Sequence, residues 1–163
     1  MQVMGERVEK IKCLLKKAFP KLSQDKYFEV TSQETPVYNC IAWAYNIDNR
    51  WMWPNTGEYL FLDGIRYWPS EKILDCNVQN FIDAFKLKGY ICCENSNFED
   101  GYRKIALYVN PNTNMCTHAA RQKSNGFWTS KLGESNDIQH GTPESIENDT
   151  YGRVYCFMKM QFE

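Results

Sequence analysis

Residues 103–132 constrain the fold most. The run Arg-Lys-Ile-Ala-Leu-Tyr-Val at 103–109 and the segments 115–123 and 127–132 read as strands. Between them lie Asn110-Pro111-Asn112-Thr113-Asn114 and Ser124-Asn125-Gly126. Asn, Pro and Gly favour turns there, and Asn-Gly is the preferred pair for a two-residue hairpin loop. Strands joined by such short turns pair antiparallel. Residues 152–160 add an apolar closing strand through Val154, Tyr155, Cys156, Phe157 and Met158, and 90–93 read as a further short strand. An apolar sheet face needs a cover. Two amphipathic helices supply it. In the first, at 4–19, Val8, Ile11, Leu14, Leu15, Ala18 and Phe19 recur at three- and four-residue steps until Pro20. The second, at 75–89, has Val78, Phe81, Ile82 and Phe85 as its stripe, Asp75 or Asn77 as its cap and Gly89 as its stop. The expectation is α+β, with N-terminal helices packed on one face of an antiparallel sheet of four to five strands.

A chain of 163 residues with 43% hydrophobic and 15% aromatic residues has material for one domain with a full core. The whole of 1–163 is therefore read as a single domain, its core at about 26–162, with the 4–19 helix packed on it. The net charge of −1 does not suggest a nucleic-acid or anionic-membrane partner. No apolar run approaches the ~20 residues that span a bilayer, and residues 1–17 lack the uninterrupted apolar centre of a signal peptide. The seven cysteines are irregularly spaced and contain no C-x-x-C pair, and there are two histidines. Reduced thiols, a cytoplasmic location and no structural zinc or other cofactor follow as expectations. Delivery by a dedicated secretion system fits the same features. The aromatic stretch 46–69, with Trp51, Trp53, Tyr59, Phe61, Tyr67 and Trp68, reads either as rings buried on the core or as a wall over a binding site.

The candidate chemistry centres on Pro36-Val37-Tyr38-Asn39-Cys40-Ile41-Ala42-Trp43-Ala44-Tyr45, a polar loop running into a short apolar helix that starts on Cys40. Free backbone N–H groups and the helix dipole at such a start favour a thiolate. A free cysteine is otherwise a small buried hydrophobe. A nucleophilic thiol needs a base, and histidine is the natural one. His118 lies within a predicted strand, a rigid mount, whereas His140 lies in a polar segment. A two-residue Asn125-Gly126 turn sets Arg121 opposite Ser130 and Ala120 opposite Lys131. Lys131 then shares a face with His118, and Ser130 points away unless a bulge shifts the phase. A carboxylate beyond the third strand, Asp137, would orient the imidazole. Oxyanion donors would come from the Cys40 N–H and from Gln33 or Asn39, although Asn39 also fits a helix cap. Trp43 and Lys131 complete the candidate binding wall.

A cysteine opening a helix in the first third, then a histidine in a strand, then a polar group on or after the next strand resembles the papain-like fold. The segments Tyr38-Asn39-Cys40-Ile41-Ala42-Trp43-Ala44, His118-Ala119-Ala120-Arg121-Gln122, Trp128-Thr129-Ser130-Lys131-Leu132-Gly133, Asp137-Ile138-x-His140 and Tyr151-Gly152 also resemble a bacterial family of unknown function. The papain-like resemblance implies a thiol hydrolase or acyltransferase in which Cys40 attacks an amide, peptide or thioester and His118 moves the proton. Bacterial proteins of that kind often cut cell-wall peptides, modify host or competitor proteins, or act as toxins and effectors. Two departures stand out: Gln33 is one residue further from the cysteine than the oxyanion glutamine of papain-type proteases, and no asparagine follows on the third strand. Other readings are a non-catalytic binding module using the aromatic 51–68 segment, and a metal site from His118, His140, Asp137 and Cys116, whose spacing matches no zinc signature.

Overall fold

The computed structural model describes residues 2–57, 66–70 and 72–162. Three helices occur among them: α1 (Gln2–Ala18), α2 (Cys40–Ala44) and α3 (Val78–Lys88). The strands are β1 (Glu29–Val30), β2 (Trp51–Met52), β3 (Arg66–Tyr67), β4 (Ile91–Cys93), β5 (Tyr102–Val109), β6 (Cys116–Gln122), β7 (Trp128–Lys131), β8 (Asp137–His140) and β9 (Arg153–Gln161). The α+β architecture is as expected, but the main sheet has seven strands in the order β1-β8-β7-β6-β5-β9-β4. All its pairings are antiparallel. The expectation of four to five strands missed β1 and β8. Each is too short and polar to alternate visibly; Ile138 is the single aliphatic residue of β8.

The sheet is also covered on both faces, not one. On the first face, Ile105, Leu107 and Ala119 pack with Ile41 and Ala44 of α2 and with Phe81 and Phe85 of α3. On the second, Ala106, Tyr108, Ala120, Trp128 and Ile138 pack with Phe19, Leu22, Phe28 and Ile146. Burial on both faces explains why residues 105–109 read as an unbroken apolar run. The α3 helix has the boundaries its chemistry dictates. The Asn77 side chain accepts from Gln79 N, and Gly89 closes the helix at φ 116°.

Met52, Pro54 and Trp68 of the 51–68 segment are buried, and the other residues described there are partly or fully exposed. Trp51–Met52 and Arg66–Tyr67 form a small parallel ladder, and Trp53 and Trp68 meet the Phe81 ring edge-on at 5.3 and 5.1 Å. These two rings pack on α3, Trp68 buried and Trp53 partly so. Tyr59 and Phe61 lie outside the described residues.

Gly152 sits at φ +72°, and a Cβ there would stand 1.8 Å from the Val109 carbonyl oxygen. Positive φ and a backbone clash both act against any side chain. Gly152→Ala is therefore expected to cost about 3 kcal/mol or more, read as a lower urea midpoint. A midpoint unchanged from wild type would contradict the close approach of β5 to this turn.

Candidate active site

The hairpin between β6 and β7 decides which side chains meet. Lys123 N donates to Phe127 O at 2.7 Å and Gly126 N to Lys123 O at 3.0 Å, with Gly126 at φ 88°. Residues 124–126 thus form a three-residue loop ending in a left-handed glycine, not the expected two-residue turn. The register moves by one: Arg121 faces Thr129 and Gln122 faces Trp128. A one-residue slip exchanges the faces of a strand. Ser130 therefore shares the second face with His118, and Lys131 turns to the first. The expected Lys131–His118 neighbourhood does not form.

On the second face, three fully buried side chains form a chain of hydrogen bonds. His118 Nε2 lies 3.0 Å from Ser130 Oγ, and Ser130 Oγ lies 2.8 Å from His140 Nε2. His140 Nδ1 lies 2.7 Å from the Thr142 carbonyl oxygen. A carbonyl only accepts, so His140 carries its proton on Nδ1 and its Nε2 is an acceptor. The Ser130 hydroxyl then donates to His140. The oxygen must accept from His118, so His118 carries its proton on Nε2. Nδ1 of His118 is left as a bare lone pair, buried and without a hydrogen-bond partner. The ring is held flat against Tyr151, centroids 4.3 Å apart, and edge-on to Tyr108 at 5.1 Å. Burial holds both imidazoles below their ordinary range: His140 falls to about 4, and His118 lies well below it, with His140 adding to the effect.

Cys40 opens α2, as expected, and packs on the first face. Burial pushes its thiol up to about 11, while the backbone N–H groups of Ala119, Ile41 and Cys40 itself, and the charge of Lys131, act toward the thiolate. The sulfur thus abuts the amide one residue beyond His118. The β6–β7 ladder pairs only 121–122 with 128–129, and α2 packs against both strands. Tyr151 is the second link: it stacks on His118, and its ionisation is opposed by burial and then by Cys40. No hydrogen bond joins Cys40 to the free Nδ1 of His118.

The remaining expected residues have other positions. Asp137 is paired with Lys131 on β7 and accepts from Tyr38 Oη at 2.8 Å, so it does not orient His118. Ser130, backed by His140, holds that place. Burial raises the Asp137 carboxyl. Asn39 caps α2: its Oδ1 accepts from Ala42 N at 3.2 Å and Met52 N at 3.0 Å, and its Nδ2 donates to Met52 O at 2.8 Å. Both amide atoms of the side chain are thus engaged in holding the helix start against Met52. Gln33 is exposed and lines a cleft against α1 with Arg7, Val8 and Ile11. The three protons of the Lys131 ammonium go to the carbonyls of Thr35, Gly133 and Ser135. Trp43 donates to Thr129 Oγ1 at 3.1 Å and stacks on Tyr38 with centroids 5.4 Å apart. These groups fix the loop before Cys40 to the sheet. Among the described residues no cluster of three or more His, Cys, Asp or Glu is placed to hold a metal, and His118, His140, Asp137 and Cys116 do not converge on one point. The missed signal was the length of the 124–126 loop, which sets the partner of His118.

A family model described as "Domain of unknown function (DUF7689)" matches residues 29–159. No curated protein and no solved structure matches the chain.

The depressed imidazoles make stability depend on pH. Between the ordinary histidine range near 6.5 and about 4, the unfolded chain binds a proton at His140 that the folded chain does not. Stability present above that range is lost as pH falls through it, by about 3 kcal/mol for His140 alone. His118 adds in the same direction. Urea unfolding from pH 7 down to pH 4 should show this loss, and His140→Asn should reduce its slope. A slope identical in the two proteins would contradict the buried relay.

Proposed function

We propose that this member of the DUF7689 family is a cysteine hydrolase or acyltransferase working on an amide, peptide or thioester through Cys40 and His118. The observation that carries this reading is the bare Nδ1 of His118. Burying a polar atom without a partner is unfavourable, and here a three-residue relay fixes the tautomer that leaves the lone pair free. A histidine used only for packing gains nothing from that arrangement. The order of nucleophile on a helix start, base on a strand and polar support on the next strand is that of papain-like enzymes, with Ser130 in the supporting place.

In the proposed reaction Cys40 Sγ forms a bond to the acyl carbon and its proton passes to His118 Nδ1. The resulting imidazolium is stabilised through Ser130 and returns the proton to the leaving amine or thiolate as the tetrahedral intermediate collapses. Water, or a second acyl acceptor, then releases the acyl group from sulfur by the reverse proton movement. Backbone N–H groups around Cys40 are the available oxyanion donors. The thiol is neutral at rest because burial outweighs these donors, so the base is needed at the moment of attack. The transfer requires the sulfur and His118 Nδ1, which are not hydrogen-bonded at rest, to approach each other.

A second reading has its own observation. Cys40 is only 7% exposed, as in a binding module that keeps the arrangement without turnover. The surface of such a module would use Tyr38 and Trp43, since Trp53 and Trp68 face Phe81.

The test is acylation by p-nitrophenyl acetate, with the modified residue located by mass spectrometry. Acetyl-Cys40 should form in the wild type, and about 100-fold or more slowly in His118→Ala. Ser130→Ala should slow it as well, by relaxing the tautomer. Label confined to the exposed Cys13 and Cys92, at rates indifferent to His118, would sink the catalytic reading and favour the binding module.

A further inference from the structure

The first face of the sheet carries a second concavity beyond the C-terminal ends of α2 and α3. Its volume is about 590 Å³. Arg103, Arg121 and Lys123 line it, between the rings of Phe98, Tyr102 and Phe162. The register explains the convergence. Arg121 lies opposite Ile105, so Arg103, two residues earlier on β5, projects from the same face, and Lys123 follows Arg121 at the same two-residue step. Lys88 of α3 comes close as well, reaching the Tyr45 carbonyl.

Among the described residues none of these four cations is in an ion pair. Asp137 and Asp48 act on Arg121 through space. Asp100, exposed, is the one acidic group in the wall. Their present contacts are neutral. Arg121 donates to Asn46 Oδ1 at 2.8 Å and lies over the Trp43 ring at 4.4 Å. Lys123 donates to Gln139 Oε1 at 2.9 Å, and Arg103 lies over the Phe162 ring at 5.4 Å. The charges oppose one another: after burial, Arg103 acts to lower Arg121, and Arg103 and Arg121 act to lower Lys88. Some other cations are matched, as Lys21 is by Glu147 and Lys159 by Glu99. Guanidinium forks suit phosphate and carboxylate oxygens.

We propose that this concavity is a binding site for a small molecule bearing at least two negative charges on phosphate or carboxylate groups, held by Arg103, Arg121 and Lys123. The anion supplies the missing counter-charge, and the surrounding rings supply an apolar wall for the rest of the ligand. The site is independent of Cys40 and would exist in either a catalytic or a non-catalytic protein.

Calorimetric titration of the full chain with pyrophosphate and with citrate, at ionic strength matched with sodium chloride, tests this. At least one should bind saturably and raise Tm above the chloride control. Preference for pyrophosphate assigns a phosphate ligand, and preference for citrate a carboxylate ligand. Arg103→Gln and Lys123→Gln should each weaken binding about tenfold. Both side chains are partly exposed, so the variants are expected to fold, and circular dichroism checks each; either alone suffices for the comparison. Failure of both anions to bind beyond the chloride control, or equal binding by the folded variants, would overturn the proposal.

Discussion

A single proton, on the Ser130 hydroxyl, organises the buried polar centre. Two imidazole nitrogens flank that oxygen at 3.0 and 2.8 Å. The hydroxyl can donate to only one of them, and the Thr142 carbonyl decides which by claiming His140 Nδ1–H. Every other assignment follows: His118 donates through Nε2 and keeps Nδ1 bare. In an interior of low dielectric such a chain is strong when fully satisfied and costly where it is not. Its one unsatisfied atom is therefore the informative one. The relay also ties three strands and the turn after β8 together, so the geometry of His118 is built into the sheet and not borne by a loop.

The thiol side depends on a balance. Cys40 stands at the first position of a five-residue helix capped by Asn39. Three backbone N–H groups and Lys131 favour its thiolate, but burial exceeds them. Lys131 is held by the Thr35, Gly133 and Ser135 carbonyls, which fixes its charge beside the loop that leads into α2. Tyr38, Asp137, Trp43 and Thr129 fasten the same loop to β7 and β8. Cys40 and His118 are thus mounted on separate supports that meet around β6. In the proposed reaction both the thiol and the imidazole start neutral, unlike a resting ion pair, so proton transfer is part of the chemical step.

Much of this was legible in the sequence. The α3 boundaries followed from Asn77 and Gly89, the start of α2 from the polar loop before Cys40, and β5, β6, β7 and β9 from apolar runs bounded by turn residues. The second cover layer was less visible, because a strand buried on both faces loses its alternation. Asn125-Gly126 was read as a two-residue turn, yet a left-handed Gly126 also closes a three-residue loop, and dipeptide chemistry does not separate the two. That single residue of loop length exchanged Ser130 for Lys131 beside His118. Asp137 was a reasonable orienting group by chain position alone. Its pairing with Lys131, and its bond from Tyr38 across 99 residues of sequence, depend on tertiary register that local patterns do not carry. Gln33 failed for a similar reason: separation along a loop says little about direction.

Nitrogen NMR of the two histidines tests the central claim most directly. Long-range proton–nitrogen correlations distinguish a bare ring nitrogen from a protonated one. The account predicts His118 protonated on Nε2, His140 protonated on Nδ1, and both rings neutral at pH 5.5. A proton on Nδ1 of His118, or either ring titrating near 6.5, would contradict it. The bare lone pair assigned to His118 Nδ1 would then not exist in the folded protein.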